Sequence, residues 1–378
     1  IISLAILPFF FRGILISMRL LIFVFLSYSF RIFSILNSSS NGLDIINYIY
    51  QFKVDSFLII YVFSIYLYFS NKEKINNVDK VLSLFVIFGL INALFAICQR
   101  IFMFDFLHFI GLSDISSDNI PSLGIINGLV LQTQNGLFRS IGLMSTPMAC
   151  AEFSLLSLFI YLYRYYNRSV KGTLIIFIYI VAIYFTGYKT VYLSTFAILI
   201  SYLIPRYRTI ITYSISFVYI IFGFLSVNTL FVYDFFKKIS PLYAEYSIKL
   251  RYDYLMDVIK SLHDNIFITN FAFNGNYYEL IPKAVPLDSM YIYYISNYGI
   301  IGGVVLFIAF CYIFILSKNL NIIIDGRKIP IGLYLILFLS INLFFNQPFI
   351  NFPSGIHVVL LMVIAIIQKK NIKNCCNK

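Results

Sequence analysis

Val81-Leu-Ser-Leu-Phe-Val-Ile-Phe-Gly-Leu-Ile-Asn-Ala-Leu-Phe-Ala-Ile-Cys-Gln-Arg-Ile-Phe102 decides the fold. Its single charge, Arg100, falls near the end, and the rest is almost wholly apolar. A helix crossing the hydrocarbon core of a bilayer needs roughly 20 such residues, so this stretch reads as a membrane span. Comparable runs recur near 1–11, 20–36, 57–70, 141–163, 172–188, 190–204, 209–231, 289–317, 330–348 and 355–368. The runs at 57–70 and 355–368 are short and are expected to extend into their flanks. The chain starts at Ile1 and its first run stops before Arg12, so an incomplete first span is expected; no small-residue cleavage site follows a short apolar run, so no cleavable signal peptide is expected.

The composition agrees. The 378 residues are 60% hydrophobic and 12% charged, with a mean hydropathy of +0.87. A soluble domain carries about a quarter charged residues. The fold expected is an all-α polytopic membrane protein of about 10–12 transmembrane helices, filling residues 1–378 with no appended soluble domain. The five cysteines show neither a disulfide framework nor zinc spacing.

The 28 Lys and Arg outnumber the 16 Asp and Glu by 12. In a membrane protein such an excess first sets orientation, so no nucleic-acid partner is expected. Alternate junctions carry Arg12 and Arg19; Lys72, Lys74 and Lys80; Arg164, Arg168 and Lys171; Arg206 and Arg208; Lys318, Arg327 and Lys328; and the tail from Lys369 to Lys378. These hold more than half of the cations and only three acids, Glu73, Asp79 and Asp325. By the positive-inside rule they are cytoplasmic. The opposite, periplasmic side then owns two long connections, 103–140 and 232–288, which are the places to look for chemistry because connections of that length are commonly functional. In the second, Leu250, Tyr254, Val258 and Leu262 recur every four residues, predicting an amphipathic helix on the outer membrane surface or one that caps the bundle. Asn270 to Pro286 is rich in turn residues and reads as loop.

Some outer cations need no functional account: Arg31, Lys53, Lys237 and Lys238 can reach headgroups from helix ends. Arg139, Lys189 and Arg251 are candidates of a different kind. The first precedes a span, the second sits in a tight reversal between two spans, and the third heads the amphipathic helix. Packed together they would form a cationic cluster able to bind a lipid-linked pyrophosphate; singly they would bind ordinary anionic headgroups. Asp288 stands where the long loop re-enters the membrane, as a partly desolvated carboxylate suited to general-base work or as an N-cap for the following span. His263 is the competing base. Glu152, inside a span, is expected to partner an outer cation. No Asp-x-Asp, Walker loop, His-Glu-x-x-His or Gly-x-Ser-x-Gly occurs, so metal-bound nucleotide-sugar transfer, ATP-driven transport, zinc proteolysis and serine hydrolysis lack their parts.

Arg139-Ser140-Ile141-Gly142 running into Ser145-Thr146-Pro147-Met148-Ala149 resembles the Arg-x-x-Gly and Asn-Pro-x-x-Ala block of the O-antigen polymerase (Wzy) and O-antigen ligase superfamily. The helix ending Cys98-Gln99-Arg100 is similar to its counterpart there, and Thr186-Gly187-Tyr188-Lys189 occupies the place of the family's Thr-x-Ser-Arg. Pro286-Leu287-Asp288-Ser289-Met290-Tyr291, followed by Gly299-Ile300-Ile301-Gly302, resembles the re-entry block before a Gly-x-x-Gly span. The likeness covers roughly residues 80 to 310. Ligases commonly have His-Asn at re-entry, so Asp288-Ser289 looks more like a polymerase of repeat units. Lys189 in place of Arg keeps the charge but loses the bidentate fork.

The resemblance implies a GT-C-like, metal-independent glycosyltransferase of the bacterial inner membrane with its active site facing the periplasm. It implies undecaprenyl-pyrophosphate-linked glycans as substrates, no cofactor, and a chain-length regulator and a flippase as partners beside the membrane lipids. Asp288 or His263 would be catalytic, and Arg139, Lys189 and Arg251 would bind pyrophosphate. The alternatives are an O-antigen ligase transferring polymer to lipid A core and, from another class, a polysaccharide flippase.

Overall fold

Among the described residues of the computed structural model, three helices are long and apolar enough to cross a membrane: Val78–Met103, Arg208–Asn228 and Gly299–Ser317. Shorter apolar helices at Val170–Phe185, Lys189–Leu203, Ile331–Phe345 and Gly355–Lys369 accompany them. The structure describes residues 61, 64–66, 68–69, 77–109, 123–126, 129–134, 137–261, 289–346 and 354–376. The runs expected at 1–11 and 20–36 lie outside these residues, as does most of 57–70.

The chain order is α1 (Val78–Phe109), β1 (Leu123–Ile126), β2 (Leu129–Gln134), β3 (Leu137–Phe138), α2 (Pro147–Ile160), α3 (Val170–Phe185), α4 (Lys189–Leu203), α5 (Arg208–Asn228) and α6 (Phe231–Ile239). A short helix Pro241–Tyr243 and a π-helical stretch Ala244–Lys249 lead into α7 (Leu250–Ser261). Then come α8 (Met290–Ser317), β4 (Ile322–Ile324), β5 (Arg327–Ile329), α9 (Ile331–Phe345) and α10 (Ser354–Cys376). α3, α4, α5, α8 and α9 coincide with the apolar runs to within three residues, whereas α2 starts six residues after its run begins and α1 and α10 continue seven and eight residues past theirs. α1 and α8 are each kinked, at Met103 and Gly299.

On α1 the large side chains Leu84, Ile87, Phe88, Ile91 and Leu94 are exposed and recur every three or four residues. Water does not tolerate an apolar stripe this continuous, and lipid does. The opposite face, with Leu82, Phe85, Ala93 and Ala96, is buried against α2 and α3. α9 is buried at every residue and packs on α5, α8 and α10. A helix apolar all round belongs at the centre, and α9 is the bundle's axis.

α2 starts where its residue types require. Thr146 Oγ1 accepts a hydrogen bond from Ala149 N at 3.0 Å, and Pro147 follows at the first helical position. The predicted amphipathic helix is present as α7. Its Tyr254, Leu255 and Val258 are buried against the protein, with α5 and α8 as neighbours, while Asp253, Asp257 and Lys260 are exposed. The apolar face thus caps the bundle rather than entering the lipid.

The connections depart from an all-α reading. β1, β2 and β3 form an antiparallel sheet within the first long connection. The register pairs Ile126 with Leu129 and Gln134 with Leu137, leaving Asn-Gly between the strands both times. Asn-Gly between apolar runs is the strongest short hairpin signal, so this sheet has a local cause in the sequence. A second hairpin, β4–β5, turns on Asp325 (φ 47°) and Gly326 (φ 75°), both in the left-handed region that a tight hairpin turn uses.

Candidate functional site

The Arg139–Gly142 block is held by two amides on α1. Asn92 and Gln99 lie seven residues apart on the buried face of that helix. Gln99 Oε1 accepts from the backbone N–H groups of Ile141 (3.0 Å) and Gly142 (2.8 Å), and its Nε2 donates to Gly142 O at 2.8 Å. Asn92 Oδ1 accepts from Leu143 N at 2.8 Å, and its Nδ2 donates to Ser154 Oγ at 3.2 Å. One turn of backbone that no helix or sheet satisfies therefore finds its partners in side chains, as buried backbone must. Gly142 has φ +60°, and a Cβ there would lie 2.3 Å from Asn92 Oδ1 and 2.9 Å from Cys150 Sγ. Only glycine fits.

The same block is stitched to the α3–α4 reversal. Ser140 N donates to Phe185 O at 3.1 Å, and Arg139 Nε donates to Thr186 O at 2.8 Å. Arg139 spreads its guanidinium over the Tyr188 ring at 5.8 Å. Arg100 lies beside it, donating to Phe138 O at 2.5 Å and covering Phe185 at 5.8 Å.

Tyr188 connects this cluster to α9. Its hydroxyl donates to Asn346 Oδ1. Asn346 caps α9, accepts Met290 N through its carbonyl at 3.0 Å, and donates Nδ2 to Glu152 Oε1 at 3.5 Å. Glu152 is only 3% exposed. Asn346, absent from the candidates drawn from sequence, is the residue on which α2, α4, α8 and α9 meet; in sequence it is one polar residue at the end of an apolar run.

Lys189, the first residue of α4, is exposed with its Nζ 5.5 Å from the Tyr243 ring centroid. Arg251 is half-buried, lies over Phe345 at 5.4 Å, and donates to Ser247 O at 2.8 Å and Ser247 Oγ at 2.5 Å. Its Nε is buried without a hydrogen-bond partner among the described residues. Arg139, Lys189 and Arg251 thus stand at one end of the bundle, linked through Tyr188, Phe345 and Asn346. Each of the three cations lies over an aromatic ring, and Arg139 and Arg251 also donate to backbone carbonyls.

Ser289 caps α8: its Oγ accepts from Ile292 N at 3.4 Å and donates to Leu343 O at 3.4 Å. This corrects the capping alternative for Asp288, because the cap is one residue later. Asp288 and His263 themselves lie outside the described residues. No group of three metal-ligating side chains occurs among the described residues.

No family model matches the chain, and no curated protein or solved structure matches it.

Proposed function

We propose that the protein is an O-antigen polymerase, or the polymerase of a related surface polysaccharide. In this reading it is a multi-pass enzyme of the bacterial inner membrane that joins undecaprenyl-pyrophosphate-linked repeat units on the periplasmic face. The single observation that supports it is the convergence of Arg139, Lys189 and Arg251 at the end of the bundle bearing the two long connections. A cluster of three cations is the kind of site that an anion of two phosphates would occupy.

A hydroxyl of the incoming unit attacks the anomeric carbon of the growing chain. Asp288 takes the hydroxyl proton, the bond from that carbon to the lipid pyrophosphate breaks, and the cations hold the departing anion. The donor arrives activated, so the bond can form without nucleotide or metal. A placed base contributes about 10²–10⁴-fold and a preorganised charge donor on the order of 10²–10³-fold.

The test is polymer formation by the purified protein from repeat-unit lipid alone. Arg139→Ala and Arg251→Ala should abolish polymer while the protein still accumulates in the membrane, and Arg→Lys should retain part of it. Full-length polymer from both Ala variants would refute the pyrophosphate role. A product formed only when lipid A core is supplied would identify a ligase, and translocation without a new glycosidic bond a flippase.

A further inference from the structure

At the other end of the bundle a cavity of about 970 Å³ opens between α3 and α4. Its floor is aromatic: Tyr202 meets Tyr163 at 5.4 Å and Tyr166 at 5.9 Å, both edge-on. Its walls are apolar and uncovered, with Phe177 60% and Leu203 73% exposed beside Val170 and Leu174. Arg168 stands in the rim. Pro205, also in the lining, leads directly into Arg206 and Arg208, and Arg208 lies within electrostatic reach of Tyr163.

The charge around this cavity is one-sided. From Glu152 to Asp234 the chain carries no acid, while five cations fall at this end, Arg164, Arg168, Lys171, Arg206 and Arg208; the sixth, Lys189, lies at the opposite end. Arg164 is neutralised by Asp79 and Asp325, at 2.8 and 2.6 Å. Arg168, Lys171, Arg206 and Arg208 have no ion-pair partner among the described residues. Cations at the rim, tyrosines at the floor and exposed apolar walls match the chemistry of the layers of a leaflet: headgroup, interface and acyl chain.

We propose that this cavity is a binding site for an anionic glycerophospholipid of the surrounding leaflet, its phosphate held by Arg168 and Arg208 and an acyl chain lying along Leu174 and Phe177. The site is independent of the polymerase reading. The charge asymmetry puts it on the cytoplasmic side, opposite the Arg139 cluster.

The chain contains no tryptophan, so Phe177→Trp supplies a unique fluorophore on the cavity wall, and Phe217→Trp supplies one on the exposed face of α5 away from it. Both full-length variants are reconstituted in bilayers containing brominated phosphatidylglycerol or brominated phosphatidylcholine. At the Phe177→Trp position the anionic lipid should quench with about fivefold or greater preference, and at the Phe217→Trp position with almost none. Adding Arg168→Gln, at an exposed position, and Arg208→Gln, at a half-buried one, should erase the preference while far-UV circular dichroism stays unchanged. Equal quenching by the two lipids at the Phe177→Trp position, the same preference at both positions, or a preference that survives the double substitution would overturn the proposal. So would relief of quenching by inorganic phosphate, which would make the ligand a free anion. Relief by undecaprenyl phosphate at a small mole fraction would make it a polyprenyl lipid and overturn the glycerophospholipid.

Discussion

Gly142→Ala combines two costs that the structure separates. The backbone there has φ +60°, and a side chain in that left-handed region costs about 1–2 kcal/mol. The added Cβ also lies 2.3 Å from Asn92 Oδ1 and 2.9 Å from Cys150 Sγ. Overpacking of this kind costs about 1–3 kcal/mol. Moving Asn92 aside further loses its bond to Leu143 N, about 1 kcal/mol. The sum is roughly 3–6 kcal/mol. Gly326 is the internal control: its φ is +75°, and a Cβ there meets nothing within 4 Å. Gly326→Ala should therefore carry the conformational cost alone, about 1–2 kcal/mol. Both variants can be unfolded at equilibrium in mixed micelles of rising SDS content, followed by far-UV circular dichroism. A third comparison closes the cycle: in an Asn92→Ala background only the 2.9 Å approach to Cys150 Sγ remains, so the cost of Gly142→Ala should fall, while staying above that of Gly326→Ala. Equal losses for the two glycines in the wild-type background would refute the close packing of the Arg139–Gly142 block on α1. A Gly142 cost that Asn92→Ala leaves unchanged would do the same.

Three further predictions follow from other parts of the molecule. Arg164, with its side chain 11% exposed, bridges Asp79 to the β4–β5 hairpin; Arg164→Ala should cost about 2–3 kcal/mol, and Asp325→Asn, at a carboxylate 78% exposed, less than about 1 kcal/mol, in the same unfolding assay. Asp257→Cys on α7 and Lys328→Cys on β5, each in a background without native cysteines, should react with an impermeant thiol reagent only from the periplasmic and only from the cytoplasmic side respectively; the reverse pattern would invert the topology and move every candidate residue to the wrong face. Asp288→Asn should slow chain extension from purified lipid-linked repeat units by roughly 10²-fold or more, and because Ser289 supplies the α8 cap the unfolding midpoint should not move; near-normal turnover would remove Asp288 from the mechanism and make His263 the next residue to test.

Composition and periodicity carried the membrane class, the helix positions and α7. Each of these is a property of consecutive residues. A run such as Val81–Phe102 must be helical in lipid, because no water is there to satisfy its backbone. The four-residue recurrence of Leu250, Tyr254 and Val258 marks a face whatever covers it. Arg139, Lys189 and Arg251 were legible as cations beyond what orientation needs. Two Asn-Gly pairs, at 127–128 and 135–136, mark the small sheet just as locally.

What covers a face, and which distant residues share a partner, depend on how the helices cross. That depends on the shapes of many side chains at once, and no local pattern records it. Nothing near Asn92 or Gln99 distinguishes them from other polar residues in a span; they matter because 42 to 51 residues later an otherwise unsatisfied stretch of backbone lands on them. Asn346 stands 158 residues from Tyr188 and 194 from Glu152, and only packing brings the three together. The cavity floored by Tyr163, Tyr166 and Tyr202 exists for the same reason. Its residues come from helices that are neighbours in space, and the gap between them is a property of the bundle.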